Sequence, residues 1–156
     1  MIRITKLTDY GILVLRHLTG QPPGTLVSAP DLAKATFLPP PTVGKILRIL
    51  GKAGIVTSQR GAQGGYGLGR HPDEISVADI ITAFEGPIAL TECLSDEAPT
   101  CDVEPICPTR SNWDRISQAI RTALEEIPLS EITVPQSGWR ERMSAALAPD
   151  DPGAVR

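Results

Sequence analysis

No stretch of about eighteen consecutive apolar residues, the length a membrane-spanning helix requires, occurs in this chain. The opening, Met1 to Lys6, has neither the apolar core nor the small-residue cleavage site of a secretory leader, so a soluble, cytoplasmic protein without a membrane partner is expected. No internal repeat is present, which excludes a repeat array. Nucleotide fingerprints are missing too. The glycine-bearing stretch from Arg60 to Gly65 lacks a Gly-Lys-Ser/Thr ending and runs into His71-Pro72 rather than a helix. With no flavin or nicotinamide fingerprint either, the chain is expected to be neither an enzyme nor a binder of a small-molecule substrate. Cysteine is scarce, at 3 residues, and no C-x2-C pair of the common zinc knuckles occurs.

What is present is sharply divided by charge. Residues 1–70 hold nine Lys or Arg against two acids, Asp9 and Asp31, a net of +7, whereas residues 71–156 hold six against sixteen, a net of -10. A basic module joined to an acidic one suits a polyanion-binding head on a different kind of body, although segregated charge also serves plain solubility. At 156 residues and 41% apolar composition, one compact domain with an appendage is expected.

Leu7, Tyr10, Gly11, Val14, Leu15 and Leu18 recur at helical spacing between Thr5, an available N-cap, and Gly20. A second, short helix starts at Ser28-Ala29-Pro30-Asp31. Prolines 39 to 41 can occupy only the opening of a third helix, whose apolar face is Val43, Ile46, Leu47 and Leu50 and whose stop is Gly54. Thr42, Lys45, Arg48 and Lys52 fall on its other face. The β-branched run from Ile55, the glycine loop and Tyr66-Gly67-Leu68 predict a hairpin, with Tyr66 packing at its base. Ser76 and Asp79 form a capping-box pattern before the stripe Val77, Ile80, Ile81 and Phe84, which ends at Gly86-Pro87. No regular element is expected across residues 88–108. Ser111, with Asp114 three residues on, then opens a helix with Trp113, Ile116, Ile120, Leu124 and Ile127 on one stripe, which wants a partner helix.

Two helices joined by a tight turn, the second basic on its outer face, followed by a hairpin, is the order of a winged helix-turn-helix. The fold class expected is therefore mainly α with a small β-hairpin wing and a long dimerisation helix. In the major groove of double-stranded DNA, Thr42 and Lys45 would meet base edges, with Arg48 and Lys52 nearer phosphate. Arg60, beside glycines at the hairpin tip, would enter the minor groove. Singly, each of these cations reads equally as solvated surface charge.

Cys93, Cys101 and Cys107 have the spacing C-x7-C-x5-C in a segment without expected structure. Thiolates are soft donors, so the residues alone leave three readings open: an iron-sulfur cluster one ligand short, a zinc site, or unliganded thiols.

Together, Ile4-Thr5-Lys6-Leu7-Thr8-Asp9-Tyr10, Lys52-Ala53-Gly54-Ile55-Val56, the wing from Arg60 to Leu68 and the three-cysteine loop before Trp113 resemble the IscR-type iron-sulfur transcription regulators. The start is especially similar to the regulators of SUF cluster-assembly operons, and the resemblance covers roughly residues 1–133. It implies a homodimer that binds a two-fold operator and changes DNA affinity with the state of a 2Fe-2S or 4Fe-4S cluster. It also implies a repressor of cluster-assembly genes with Cys93, Cys101 and Cys107 as ligands. In IscR a histidine three residues after the third cysteine completes the site, where this chain has Arg110, which cannot coordinate as a cation. The related NsrR-type nitric-oxide sensors use an aspartate of helix one from the partner subunit, and Asp9 matches that place. The plain reading of Asp9 is an acid complementing a helix dipole. Glu92, Asp96, Asp102, Glu104 and solvent are other donors, and His17 and His71 weaker ones. Gly44 stands where IscR carries an acidic base-reading residue, so that reading pattern does not carry over.

The organisation expected is a DNA-binding domain at 1–71, a connecting helix at 72–87, a cluster-binding loop at 88–108, a dimerisation helix at 109–133 and a flexible tail at 134–156. The rivals are a nitric-oxide- or iron-responsive regulator of the same family, an iron-sulfur redox protein and a zinc-stabilised interaction module.

Overall fold

A computed structural model describes residues 3–94, 101 and 106–133. The tail expected at 134–156 and the candidate donors Asp96, Asp102 and Glu104 lie outside the described residues, as does the side chain of Glu92. The described chain forms α1 (Lys6–Thr19), α2 (Ala29–Thr36), α3 (Pro40–Lys52), β1 (Val56–Gln59), β2 (Gly65–Leu68), α4 (Val77–Glu85), α5 (Arg110–Glu125) and α6 (Leu129–Ile132). Short 3-10 turns stand at Pro72–Glu74 and Glu92–Leu94. This is the expected mainly helical chain with a β-hairpin wing. No helix among the described residues is long and apolar enough to cross a membrane.

The core forms where helical stripes converge. Val14 and Leu15 of α1, Leu32 of α2, Val43, Ile46 and Leu50 of α3, and Ile80 of α4 are all fully buried, together with Ile55, Ile75 and Leu129 from the joints. Local chemistry marks the helix ends. The Ser28 hydroxyl accepts the Asp31 amide at 3.2 Å, capping α2. The Ser76 hydroxyl accepts the Asp79 amide at 3.0 Å while the Asp79 carboxylate accepts the Ser76 amide at 3.1 Å, a reciprocal box that starts α4. The antiparallel hairpin pairs Val56 with Leu68, Thr57 with Gly67, Ser58 with Tyr66 and Gln59 with Gly65.

Several local expectations need correction. Thr5 occupies the N-cap of α1, but its side chain makes no cap bond there. The last long helix begins at Arg110 with Thr109 as N-cap rather than at Ser111, because the amides of Asn112 and Trp113 both reach the Thr109 carbonyl. It is not continuous through 133: α5 ends at Glu125, Pro128 begins a corner, and Ile127 drops off the helical stripe. At that corner the Ile127 carbonyl accepts the Val77 amide at 2.9 Å and the Leu129 amide donates to Ile75 at 2.7 Å, tying the corner to the start of α4. Residues 92–94, expected to be irregular, form one of the 3-10 turns.

Candidate nucleic-acid interface and cysteine loop

The α2–α3 turn sets the pose of α3. Phe37 closes α2 with φ 57, a left-handed conformation unusual for a bulky side chain, while Leu38 next to it is buried. Pro40 and Pro41 then supply no amide hydrogens, and the Thr42 amide donates to Pro39 at 2.9 Å, so the first turn of α3 has little backbone donor capacity left for a ligand. Contacts from this helix must come from side chains. Val43, Ile46, Leu47 and Leu50 fill the core side. Lys45, Arg48 and Lys52 are exposed on the other face, and Thr42 is half-buried at its start. A Cβ on Gly44 would meet nothing within 4 Å, so this glycine leaves an open notch in the exposed face.

The wing is held by more than its own ladder. Val27, just before α2, exchanges both backbone hydrogen bonds with Tyr66, at 2.9 and 2.8 Å. Tyr66 is half-buried against the core, as expected for a packing residue of the hairpin base. A Cβ on Gly65 would come within 2.8 Å of the Val27 backbone, so only glycine permits this third strand-like segment to close in. At the tip, Gly61 has φ 119 and the Gly64 amide donates to its carbonyl at 3.0 Å. Arg60 is exposed beside this tight turn. Among the described residues no carboxylate forms a salt bridge with Lys45, Arg48, Lys52 or Arg60. The ion pair near the wing joins Arg70 to Asp79 at 3.3 Å, linking the hairpin root to α4. Side chains of this type on an exposed helix face and a glycine-tipped wing can neutralise phosphates and reach base edges.

All three cysteines are free thiols. Cys93 is half-buried in the 3-10 turn after α4, its sulfur 3.3 Å from the Thr91 hydroxyl. Cys107 stands before α5, its sulfur 3.3 Å from the Thr109 hydroxyl, and Cys101 is exposed. Hydrogen bonds from the Thr109 side chain and backbone, with help from Arg110, hold the Cys107 thiol below its ordinary pKa. The path into the loop is fastened to α5: the Leu90 amide donates to the Ser117 hydroxyl at 3.2 Å, and Arg121 donates to the Ile88 carbonyl at 3.5 Å.

Among the described residues no three His, Cys, Asp or Glu side chains are gathered as a metal-holding group. The donor set nevertheless fits an iron-sulfur cluster in kind: three unpaired thiols, one of them biased toward the thiolate that ligates iron. Asp9 is exposed on the first turn of α1. His71 instead caps the 3-10 turn Pro72–Glu74, and the His17 ring faces Gln21 at the other end of α1 from Asp9. Three supporting residues carried no local signal in the chain. Val27 and Ser117 lack any motif, and Glu85, whose carboxylate receives Thr5 and Thr8 of α1, is separated from them by about 80 residues.

A family model described as Rrf2, iron-dependent transcriptional regulator, matches residues 4–135. The chain is 29% identical to the HTH-type transcriptional regulator NsrR of Bacillus licheniformis over 92% of this chain and 100% of that protein. It is 33% identical to the HTH-type transcriptional regulator CymR of Bacillus subtilis over 90% of this chain and 96% of that one. Among solved structures it is similar to CymR, the global cysteine regulator of B. subtilis, with TM-score 0.65 and 32% identity over 85% of this chain and 97% of that one. It is also similar to T. potens IscR, with TM-score 0.58 and 26% identity over 95% of this chain and 93% of that one.

Proposed function

The chain belongs to the Rrf2 family of iron-dependent transcriptional regulators, and from that premise we propose that it represses iron-sulfur cluster assembly genes according to the state of a bound 2Fe-2S or 4Fe-4S cluster. As a winged-helix transcription regulator it is not an enzyme. One observation supports the sensing role most: a cationic helix-and-wing face, without salt bridges among the described residues, and three free thiols occur in the same chain.

In this reading α3 enters the major groove of a DNA operator. Thr42 and Lys45 meet base edges, Arg48 and Lys52 neutralise phosphates, and Arg60 reaches from the wing into the minor groove. Two copies act together in the cytoplasm as a homodimer. Trp113 and Ile116, 41% and 44% exposed on α5, would be covered by the second copy. Cys93, Cys101 and Cys107 would hold the cluster, with Asp9 of the partner subunit as fourth ligand; exposure leaves that carboxylate free to reach a neighbouring loop. When bound, the cluster supplies an oxidisable, removable centre whose state differs between cluster-replete and cluster-poor cells. Ser117 and Arg121 hold the root of the loop against α5, so rearrangement around the thiols is felt where two copies would meet.

The test is anaerobic purification with iron and sulfide analysis, followed by titration of both protein forms on promoter fragments from cluster-assembly operons. Iron and sulfide in the purified protein, with unequal affinity of the two forms, is the expected result. Colourless, iron-free protein after reconstitution overturns the cluster, and zinc without sulfide replaces it with a zinc-stabilised module. Turnover with an electron donor and no DNA binding would make the chain a redox protein. A second reading, a nitric-oxide-responsive regulator, draws on the match to NsrR along that protein's whole length. Loss of operator binding on nitric oxide exposure, with no response to cluster demand, selects it.

A further inference from the structure

An N-cap threonine ordinarily turns its hydroxyl back onto its own helix. Thr5 of α1 does not. Its amide, at 3.1 Å, and its hydroxyl, at 2.7 Å, both donate to Oε1 of Glu85, the last residue of α4. The hydroxyl of Thr8 donates to the same oxygen. Thr8 is fully buried, so its hydroxyl needs a protein partner. One carboxylate oxygen, delivered from the far side of the chain, thus caps the start of α1 and places negative charge at the positive end of its dipole.

The two ends of this link are significant. On one side, Thr8 adjoins Asp9, whose own amide donates to the Thr5 carbonyl at 3.2 Å, so the turn that Glu85 fastens is the turn that carries Asp9. On the other, Gly86 with φ 87 releases the chain from α4 into the segment that Arg121 and Ser117 pin at Ile88 and Leu90, three residues before Cys93. Glu85 therefore joins the helix start that would offer Asp9 to the partner subunit's cluster to the segment leading to Cys93 of its own chain. Close packing reinforces the joint, since Phe84, one residue before Glu85, lies against Gly11 of α1.

We propose that Glu85 is a positioning residue for the cluster site: through Thr5 and Thr8 it fixes α1 against the root of its own cysteine segment, and so sets the angle at which α1 presents Asp9 to the cluster held by the partner subunit's cysteines. This rests on the cluster reading given above. Because all three hydrogen bonds converge on Oε1, an amide oxygen at the same place substitutes for it, whereas an apolar side chain of similar size does not.

The experiment uses the full chain, purified and reconstituted without oxygen, as wild type, Glu85→Leu, Glu85→Gln, Thr8→Val and Asp9→Ala. Visible circular dichroism of the cluster reports its ligand geometry, and iron release to a chelator reports its retention. Asp9→Ala, which removes a ligand, and Glu85→Leu, which removes an outer partner, are expected to alter the cluster spectrum in the same sense, and Glu85→Leu to lose iron about 10- to 100-fold more readily, as loss of a metal site's outer partners does. Glu85→Gln should stay near wild type. Thr8→Val keeps the buried shape while removing one of the three bonds, and an intermediate change in the same direction is expected even where Glu85→Leu fails to fold. A wild-type spectrum and iron retention in Thr8→Val and Glu85→Leu, beside an altered Asp9→Ala, overturns the proposal while leaving the cluster reading intact. Glu85→Gln as impaired as Glu85→Leu also overturns it, because the acceptor would then not be what matters. An unaltered Asp9→Ala removes Asp9 from the ligand set and the positioning role with it. Wild-type protein without iron and sulfide sinks the cluster reading itself, and that result needs no variant.

Discussion

The ring of Phe84 stands where a side chain on Gly11 would have to begin: a Cβ built there would lie 2.5 Å from the ring's Cζ. Carbon atoms in contact normally sit about 3.5–4 Å apart, so with the Phe84 ring in this position only glycine fits at residue 11 between α1 and α4. Gly11→Ala is accordingly expected to destabilise the fold. Overpacking costs about 1–3 kcal/mol, against the roughly 1 kcal/mol that alanine gains over glycine inside a helix. A net loss of about 1 kcal/mol should be visible in urea unfolding. Adding Phe84→Leu should recover part of it, giving a favourable coupling in the double-mutant cycle. A Gly11→Ala protein more stable than wild type would show that the Phe84 ring moves aside at little cost.

The link next to Phe84 carries a pH signature. Partial burial pulls the Glu85 carboxyl upward, but the hydrogen bonds from the Thr8 and Thr5 hydroxyls and the Thr5 amide outweigh it and leave its pKa below the ordinary 4.5. The folded state thus favours the ionised form, and the stability this contributes is complete above the unfolded value and lost as pH falls through the lower folded one. The stability difference between wild type and Glu85→Gln should therefore shrink as pH drops below about 4.5, with solvent screening keeping it modest because Glu85 is exposed. Arg3, which lines the same cleft, adds a permanent charge and shifts the difference without reversing its sign. Urea titrations of the cluster-free protein across that range measure it, and a difference that grows toward acid pH would contradict the assignment.

On α5, Ser117 is 5% exposed and its hydroxyl receives the Leu90 amide. Ser117→Ala leaves that amide without its partner, which costs about 1–3 kcal/mol where water cannot replace it. Since Leu90 is only half-buried, the lower part of that range is expected. Hydrogen exchange at Leu90 should accelerate, while exchange in the core of α3 stays as it was. Unchanged protection at Leu90 would mean that the loop root is held by Arg121 and packing alone.

The winged-helix part of the fold was legible because its instructions are local. Ser28 with Asp31 and Ser76 with Asp79 announce helix starts that the backbone then obeys, and the apolar period of α3 exposes Lys45, Arg48 and Lys52 together. What stayed hidden depends on distant partners. Nothing around Val27 announces that it will bridge to Tyr66, and nothing around Thr5 announces that a carboxylate from α4 will replace its own capping role. The end of α5 shows the same divide: the stripe from Trp113 to Ile127 fits one helix, but Pro128 and the pairing of residues 127 and 129 with the start of α4 turn the chain before the stripe is complete. The spacing of the cysteines revealed donor chemistry and not assembly, because a shared site depends on how chain segments, and two copies, come together.

The wing carries the last prediction. Arg60 is exposed beside a turn built from Gly61 and Gly64, and Val27 braces the strand that returns from it, so the arginine stands on a braced platform. If it lies in the minor groove, its contribution is mostly phosphate and groove potential rather than base reading. Arg60→Ala should then weaken binding to all DNA sequences similarly and lower the salt slope of the logarithmic affinity by about 1. Lys45→Ala, on the exposed face of α3, should instead cost about 1–3 kcal/mol on the specific operator and relax its sequence preference. Fluorescence-anisotropy titrations at several salt concentrations, on operator and scrambled DNA, separate the two patterns. An Arg60→Ala protein with wild-type affinity and salt slope would remove the wing from the interface and leave α3 to bind alone.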